Sequence, residues 1–174
     1  APFFVSNGIA KAAPDLEMVD GAEITARCRM IKSPAEIAII QRVMDMTIEV
    51  HKATASILTA GISTTEVVSF IDKAHRKVGA VKGNFFAIVL FGEATAYPHG
   101  VKDPQILKEG DMVLVDSGCS VLDYISDITR TYVYGTPTER QRQVWGDERA
   151  AQQAAFDAIS EGAAIAAVDA AARG

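Results

Sequence analysis

Asp-Met-Val-Leu-Val-Asp-Ser-Gly-Cys-Ser-Val-Leu-Asp-Tyr-Ile-Ser-Asp-Ile-Thr-Arg-Thr-Tyr-Val-Tyr, running from Asp111 to Tyr134, carries two carboxylates in the middle of strand-like sequence. Met112 to Val115 is a short apolar run with β-branched members, and Ile125 to Tyr134 is rich in Ile, Thr, Tyr and Val. Both segments read as strands. Their separation is short enough for an antiparallel hairpin, in which opposed residues have a constant sum of numbers and share a face. A turn centred on Val121 and Leu122 places Asp116 directly opposite Asp127, with Cβ atoms roughly 4.5 to 5.5 Å apart. Val-Leu is a poor two-residue turn, so a wider loop is expected there.

Two carboxylates at that distance raise each other's pKa unless a cation lies between them. A divalent metal suits the hard oxygen donors, and two carboxylates can bridge a metal pair. The alternative is structural: Asp127 as a turn residue, and Asp116 as a strand-end partner of an arginine such as Arg130. Thr129, two residues beyond Asp127 and hence on the same strand face, either orients a ligand from behind or is an ordinary strand threonine. His99 lies in the loop Tyr97-Pro98-His99-Gly100, where it either faces solvent or serves a site by donating to a developing oxyanion or passing a proton.

Asp116-Ser117-Gly118, Ser126-Asp127-Ile128-Thr129-Arg130-Thr131 and the upstream Tyr97-Pro98-His99-Gly100 together resemble the first half of the pita-bread metallopeptidases, most closely their Xaa-Pro dipeptidase and aminopeptidase P branch. The resemblance extends from about Lys32 to the last residue. It implies an α+β pita-bread fold of which this chain forms the N-terminal half: two helices, antiparallel strands including a hairpin, then a third helix. It implies Asp116 and Asp127 as metal ligands and His99 in contact with substrate or transition state. The cofactor implied is a pair of divalent ions, Mn²⁺ first, with Co²⁺ or Zn²⁺ as alternatives. The reaction implied is hydrolysis of the bond before proline in a small peptide, by a homo-oligomer. Other relatives on the same fold act on small non-peptide substrates, in the manner of creatinase, ectoine hydrolase or a lyase, and a metal-free binding module is a further alternative.

The family's remaining ligands are a His and two Glu from a second half. The histidines here lie outside such strands, and Glu139, Glu148 and Glu161 fall on a helical segment. The chain is therefore expected to be a fragment, inactive alone, with residues 1–30 the tail of an upstream domain plus linker and 31–174 the first half of the catalytic domain. Since it begins Ala-Pro-Phe-Phe, the native N-terminus is expected to be missing.

Composition agrees with a folded domain. The chain has 174 residues, 49% of them apolar, and a net charge of −5, enough for one domain with its own core. No basic stripe marks a nucleic-acid partner, and no apolar run reaches the roughly 18 residues of a membrane span. Cys28 and Cys119 form no Cys-x-x-Cys pair, which favours a reducing, cytoplasmic setting.

Four helices are predicted. Ser33-Pro34-Ala35-Glu36 is a capping box that opens the first, with Ile37, Ile40, Val43, Met44, Thr47, Val50 and Ile57 at helical spacing up to Gly61. Thr64 and Glu66 open a second that stops at Gly79, and Thr138 with Gln141 opens a third. A short Ala-rich helix follows at 163–172. Ile24 to Ile31 reads as a strand, and Phe85 to Phe91 as a buried one. His51 and His75 are expected at surface or capping positions rather than as ligands.

Overall fold

The computed structural model describes residues 2–174. Two helices lead in, α1 (Phe3–Ala12) and α2 (Ala22–Met30), and neither has a buried residue. The strand expected over Ile24 to Ile31 is thus helical. Ala22, Glu23, Ala26, Arg27 and Met30 are good helix formers, Asp20 accepts a hydrogen bond from the Ala22 amide at 2.8 Å, and Glu23 pairs with Arg27 one turn on. With no partner strand beside it, β-branching at Ile24 and Thr25 does not decide the outcome.

Helices α3 (Pro34–Ile57) and α4 (Thr64–Lys77) each begin with a capping box, Ser33 with Glu36 and Ser63 with Glu66. They cover one face of an antiparallel sheet built from β1 (Asn84–Phe91), β2 (Met112–Val121) and β4 (Ile128–Val133), with β2 in the centre. The two-residue β3 (Tyr124–Ile125) extends the hairpin beside the end of β2. Alternation along the strands sends Val89, Phe91, Val113 and Val115 toward the helices, where they meet Val50, Val67 and Ile71 in the main core. Helices α5 (Glu139–Asp157, capped by Thr138 and Gln141) and α6 (Ile165–Arg173) follow, lean on each other, and bury no residue fully.

The hairpin turns more tightly than expected. Its two loop residues are Leu122 and Asp123, at φ 51° and 65°, both left-handed as a two-residue loop of the primed type requires. The register differs accordingly: Asp116 stands opposite Thr129 on one side and Ile88 on the other. Asp127 lies two residues before the position directly opposite, just ahead of β4. Since the displacement is even, both carboxylates keep the same face.

Close approach at the bend depends on Gly118, where a Cβ would overlap the Ser126 carbonyl oxygen and come within 3.0 Å of Phe86 Cε1. Gly118→Ala should therefore destabilise the protein by about 1–3 kcal/mol, read as a lowered urea midpoint.

His51 and His75 are buried, 8% and 0% exposed, which corrects the surface placement. Both nitrogens of His75 and the Nε2 of His51 find partners among core polar groups. His75 Nδ1–H donates to the Ile71 carbonyl at 3.1 Å, leaving Nε2 to accept from the Thr47 hydroxyl at 3.2 Å. His51 Nε2–H donates to the Ile128 carbonyl at 2.9 Å. Burial lowers the pKa of both rings from 6.5, keeping them neutral in the folded state. The unfolded chain takes up protons at these rings as pH falls through 6.5 while the folded chain does not, so stability is present above that pH and declines below it. The melting temperature should drop between pH 7 and 5.5, and more shallowly in His75→Gln.

Candidate functional site

The sheet face turned away from α3 and α4 holds the carboxylate pair. Leading into β4, burial alternates: Ser126 and Ile128 are buried toward the helices, while Asp127 and Thr129 are exposed on the opposite face. Asp116, from the central strand, occupies the same open face between Ile88 and Thr129. The tight turn is what brings these positions together, since it aligns β4 along the length of β2.

Electrostatics mark Asp116 as the unusual member. Its Oδ1 is buried and has no hydrogen-bond partner among the described residues, a costly state for a carboxylate oxygen. Burial is the main cause that raises its pKa above 3.8. The Thr129 hydroxyl works against the rise, the Asp127 carboxylate adds to it, and His51 offsets it slightly. A desolvated carboxylate with an orphaned oxygen beside a second carboxylate is a donor set suited to a hard divalent cation, whose charge would reverse the repulsion. The arrangement expected from Arg130 does not form. Val115, on the helix-side face, stands opposite Arg130, whose guanidinium donates to the Thr129 carbonyl at 2.8 Å instead.

His99 sits on the loop after a short 3₁₀ turn (Gly92–Ala96) and is exposed. The loop lies against β1, where the side of Gly100 that would carry a Cβ faces Leu90 Cδ2 at 3.3 Å and Ile88 Cγ2 at 3.9 Å. Ile88 shares its face with Asp116, so the His99 loop and the carboxylates border the same side of the sheet. A cavity of about 320 Å³ lies at the edge of β1 between the His99 loop and the start of α4. His99, Gly100, Ile88 and Leu90 line it together with Thr64 and Val68 of α4, and neither Asp116 nor Asp127 does. No hydrogen bond joins His99 to either aspartate among the described residues.

The structure thus gathers Asp116, Asp127 and Thr129 closely and brings the His99 loop to the same face. Among the described residues no group of three or more His, Cys, Asp or Glu side chains is placed to hold an ion, so the two carboxylates stand without a third such side chain beside them. Sequence reading missed His51, which approaches from the other face and bonds to the Ile128 carbonyl, next to Asp127. The available signal was its spacing four residues after Thr47, a member of the buried stripe of α3.

Residues 38–174 match the family model described as "Metallopeptidase family M24". The Xaa-Pro dipeptidase of Pyrococcus furiosus is 34% identical over 145 residues, covering 83% of this chain and 42% of that protein. A putative dipeptidase of Bacillus subtilis is 35% identical over 161 residues, covering 91% of this chain and 44% of the relative. Among solved structures, the prolidase from Pyrococcus horikoshii OT3 superposes with a TM-score of 0.93 at 29% identity, over 99% of this chain and 50% of its own. The chain spans about half the length of the curated relatives it matches.

Replacing Asp127 by Asn should lower the Asp116 pKa partway toward 3.8, because it removes the neighbouring charge but not the burial. Carbon-detected NMR titration of the Asp116 carboxyl checks this, and a pKa that stays put would mean the two groups do not interact.

Proposed function

The chain belongs to metallopeptidase family M24, and from that premise we propose that it contributes two metal ligands, Asp116 and Asp127, to a peptidase cleaving the bond before proline. The observation that carries the reading is the orphaned, buried Oδ1 of Asp116 beside the Asp127 carboxylate on an open sheet face. The similarity to Xaa-Pro dipeptidases supports the substrate class.

Divalent ions at such a pair, two of them and Mn²⁺ before Co²⁺ or Zn²⁺ in this reading, supply Lewis acidity and a lowered pKa for water near neutral pH. The chain's own residues have separate tasks. Asp116 and Asp127 hold charge in place, and the Thr129 hydroxyl beside Asp116 keeps its carboxylate oriented. His99, on the rim of the cavity, donates a hydrogen bond to the carbonyl of a peptide lying along β1, or moves a proton as the bond breaks. Two carboxylates do not fill the coordination of two ions, each of which takes four to six ligands, so the remaining donors come from elsewhere in the full-length protein. The 174-residue chain assayed alone is accordingly expected to be inactive. Both cysteines are free, Cys119 buried and Cys28 exposed, which suits a reducing, cytoplasmic setting. A homo-oligomeric assembly belongs to the same reading.

In the full-length protein, Asp127→Ala should abolish metal-dependent hydrolysis of an Xaa-Pro dipeptide, with a loss of at least about 10³-fold, and reduce metal content measured by atomic emission while the far-UV spectrum is retained. Undiminished turnover by that variant would refute the assignment. Metal binding without Xaa-Pro cleavage would keep the ligands and redirect the substrate search to small non-peptide molecules.

A further inference from the structure

Behind the carboxylate face, a row of buried polar groups joins α3 and α4 to the two residues that flank Asp127. Ser126, fully buried, accepts a hydrogen bond from the Cys119 amide at 2.9 Å and lies 2.7 Å from the Thr47 hydroxyl. Thr47 is itself fully buried and lies 3.2 Å from His75 Nε2. The direction of this chain is fixed from one end. His75 Nδ1 faces the Ile71 carbonyl and so carries the proton, which makes Nε2 an acceptor for Thr47 O–H and leaves Thr47 to accept from Ser126. On the other flank, His51 Nε2–H donates to the Ile128 carbonyl. Thr47 and His51 are four residues apart and project from one side of α3.

We propose that Thr47, through Ser126, and His51, through the Ile128 carbonyl, are positioning residues that set the direction in which the Asp127 carboxylate points. The inference rests on the reading of Asp127 as a metal ligand. A residue whose neighbours on both sides are held has its Cα–Cβ direction fixed with them, and metal-site geometry tolerates errors of only about 0.5 Å or 10–20°. Valine would fill the volume of Thr47 without burying a hydroxyl, so packing alone gives no reason for a polar residue there. The buried chain instead defines one arrangement of the bend, because any slip leaves desolvated donors and acceptors without partners. Asp127, exposed and with rotamers to lose, gains the most from a backbone that is already set.

The test compares full-length wild-type protein with Thr47→Val and Thr47→Ser, using Co²⁺ titration calorimetry and amide hydrogen exchange at Asp127 and Ile128. Thr47→Val should weaken Co²⁺ binding about 10- to 100-fold and speed exchange at those amides at least about tenfold, while Thr47→Ser restores both to near wild-type values. Ser126→Ala removes the next hydroxyl in the chain and replaces Thr47→Val if that variant does not fold. A Thr47→Val protein with a lowered melting temperature but unchanged Co²⁺ affinity and unchanged exchange at Asp127 and Ile128 would overturn the proposal, making Thr47 a core residue only. If the wild-type protein binds no Co²⁺, the ligand reading falls by itself. Exchange then decides the clamp: faster exchange in Thr47→Val retains it as a hold on the bend, and unchanged exchange removes it.

Discussion

The reversal at Leu122 and Asp123 is the constraint on which the rest of the domain depends. Two residues in left-handed backbone leave no slack, so the pairing of β2 with β4 is determined from that point down to Met112 and Val133. Register in turn decides facing. One residue of slip would send Asp116 into the hydrophobic core and bring Ser117 out, exchanging a carboxylate for a hydroxyl on the open side. The same pairing seats Ser117, Cys119, Ser126 and Ile128 against the helices, so core polarity and surface charge are two outcomes of one turn.

The core behind that sheet is unusual in what it buries. Alongside Val50, Val67, Ile71, Val113 and Val115 it takes in two imidazoles and several hydroxyls, groups that cost free energy to desolvate and give little net stability when bonded. Apolar burial supplies the driving force, and the polar groups restrict which packing is acceptable. On the other face the balance is reversed: Asp116 is desolvated without full compensation, the kind of local conflict that proteins keep where a ligand resolves it.

Much of this was legible in the sequence. The capping boxes at Ser33 and Thr138 are local signals with local causes, and the α3 and α5 starts follow from them, while α4, read as opening with Thr64 and Glu66, is capped one residue earlier by Ser63. The apolar spacing identified α3 and α4 because their partners lie on a single side. The carboxylate pair was visible as acidic residues within strand sequence, and the face they share was given correctly because the register error was even. The exact pairing was not legible, since Leu-Asp is an uncommon choice for a two-residue loop and a leucine gives no signal of left-handed backbone. His51 and His75 were misplaced for a related reason: whether a helical histidine is buried depends on whether distant carbonyls and hydroxyls await it, and those belong to β4 for His51 and to α3 for His75. Residues 22–30 show the converse, a segment with strand-like members that is helical because no sheet edge is offered.

The span of the bonds holding α3 bears on how the chain is made. Thr47 finds Ser126 across 79 residues, His51 finds Ile128 across 77, and Glu36 at the head of the helix finds the Tyr124 hydroxyl across 88. During synthesis, α3 and α4 leave the ribosome complete, with their caps formed, well before any of these partners exists. Their polar groups stay hydrated until the segment from Tyr124 to Ile128 emerges, after β1 and β2 have already reached the apolar stripe of the helices. The arm of the hairpin that leads into β4 is therefore the last to arrive, and it is the one that pairs the buried polar groups of α3 and completes the sheet.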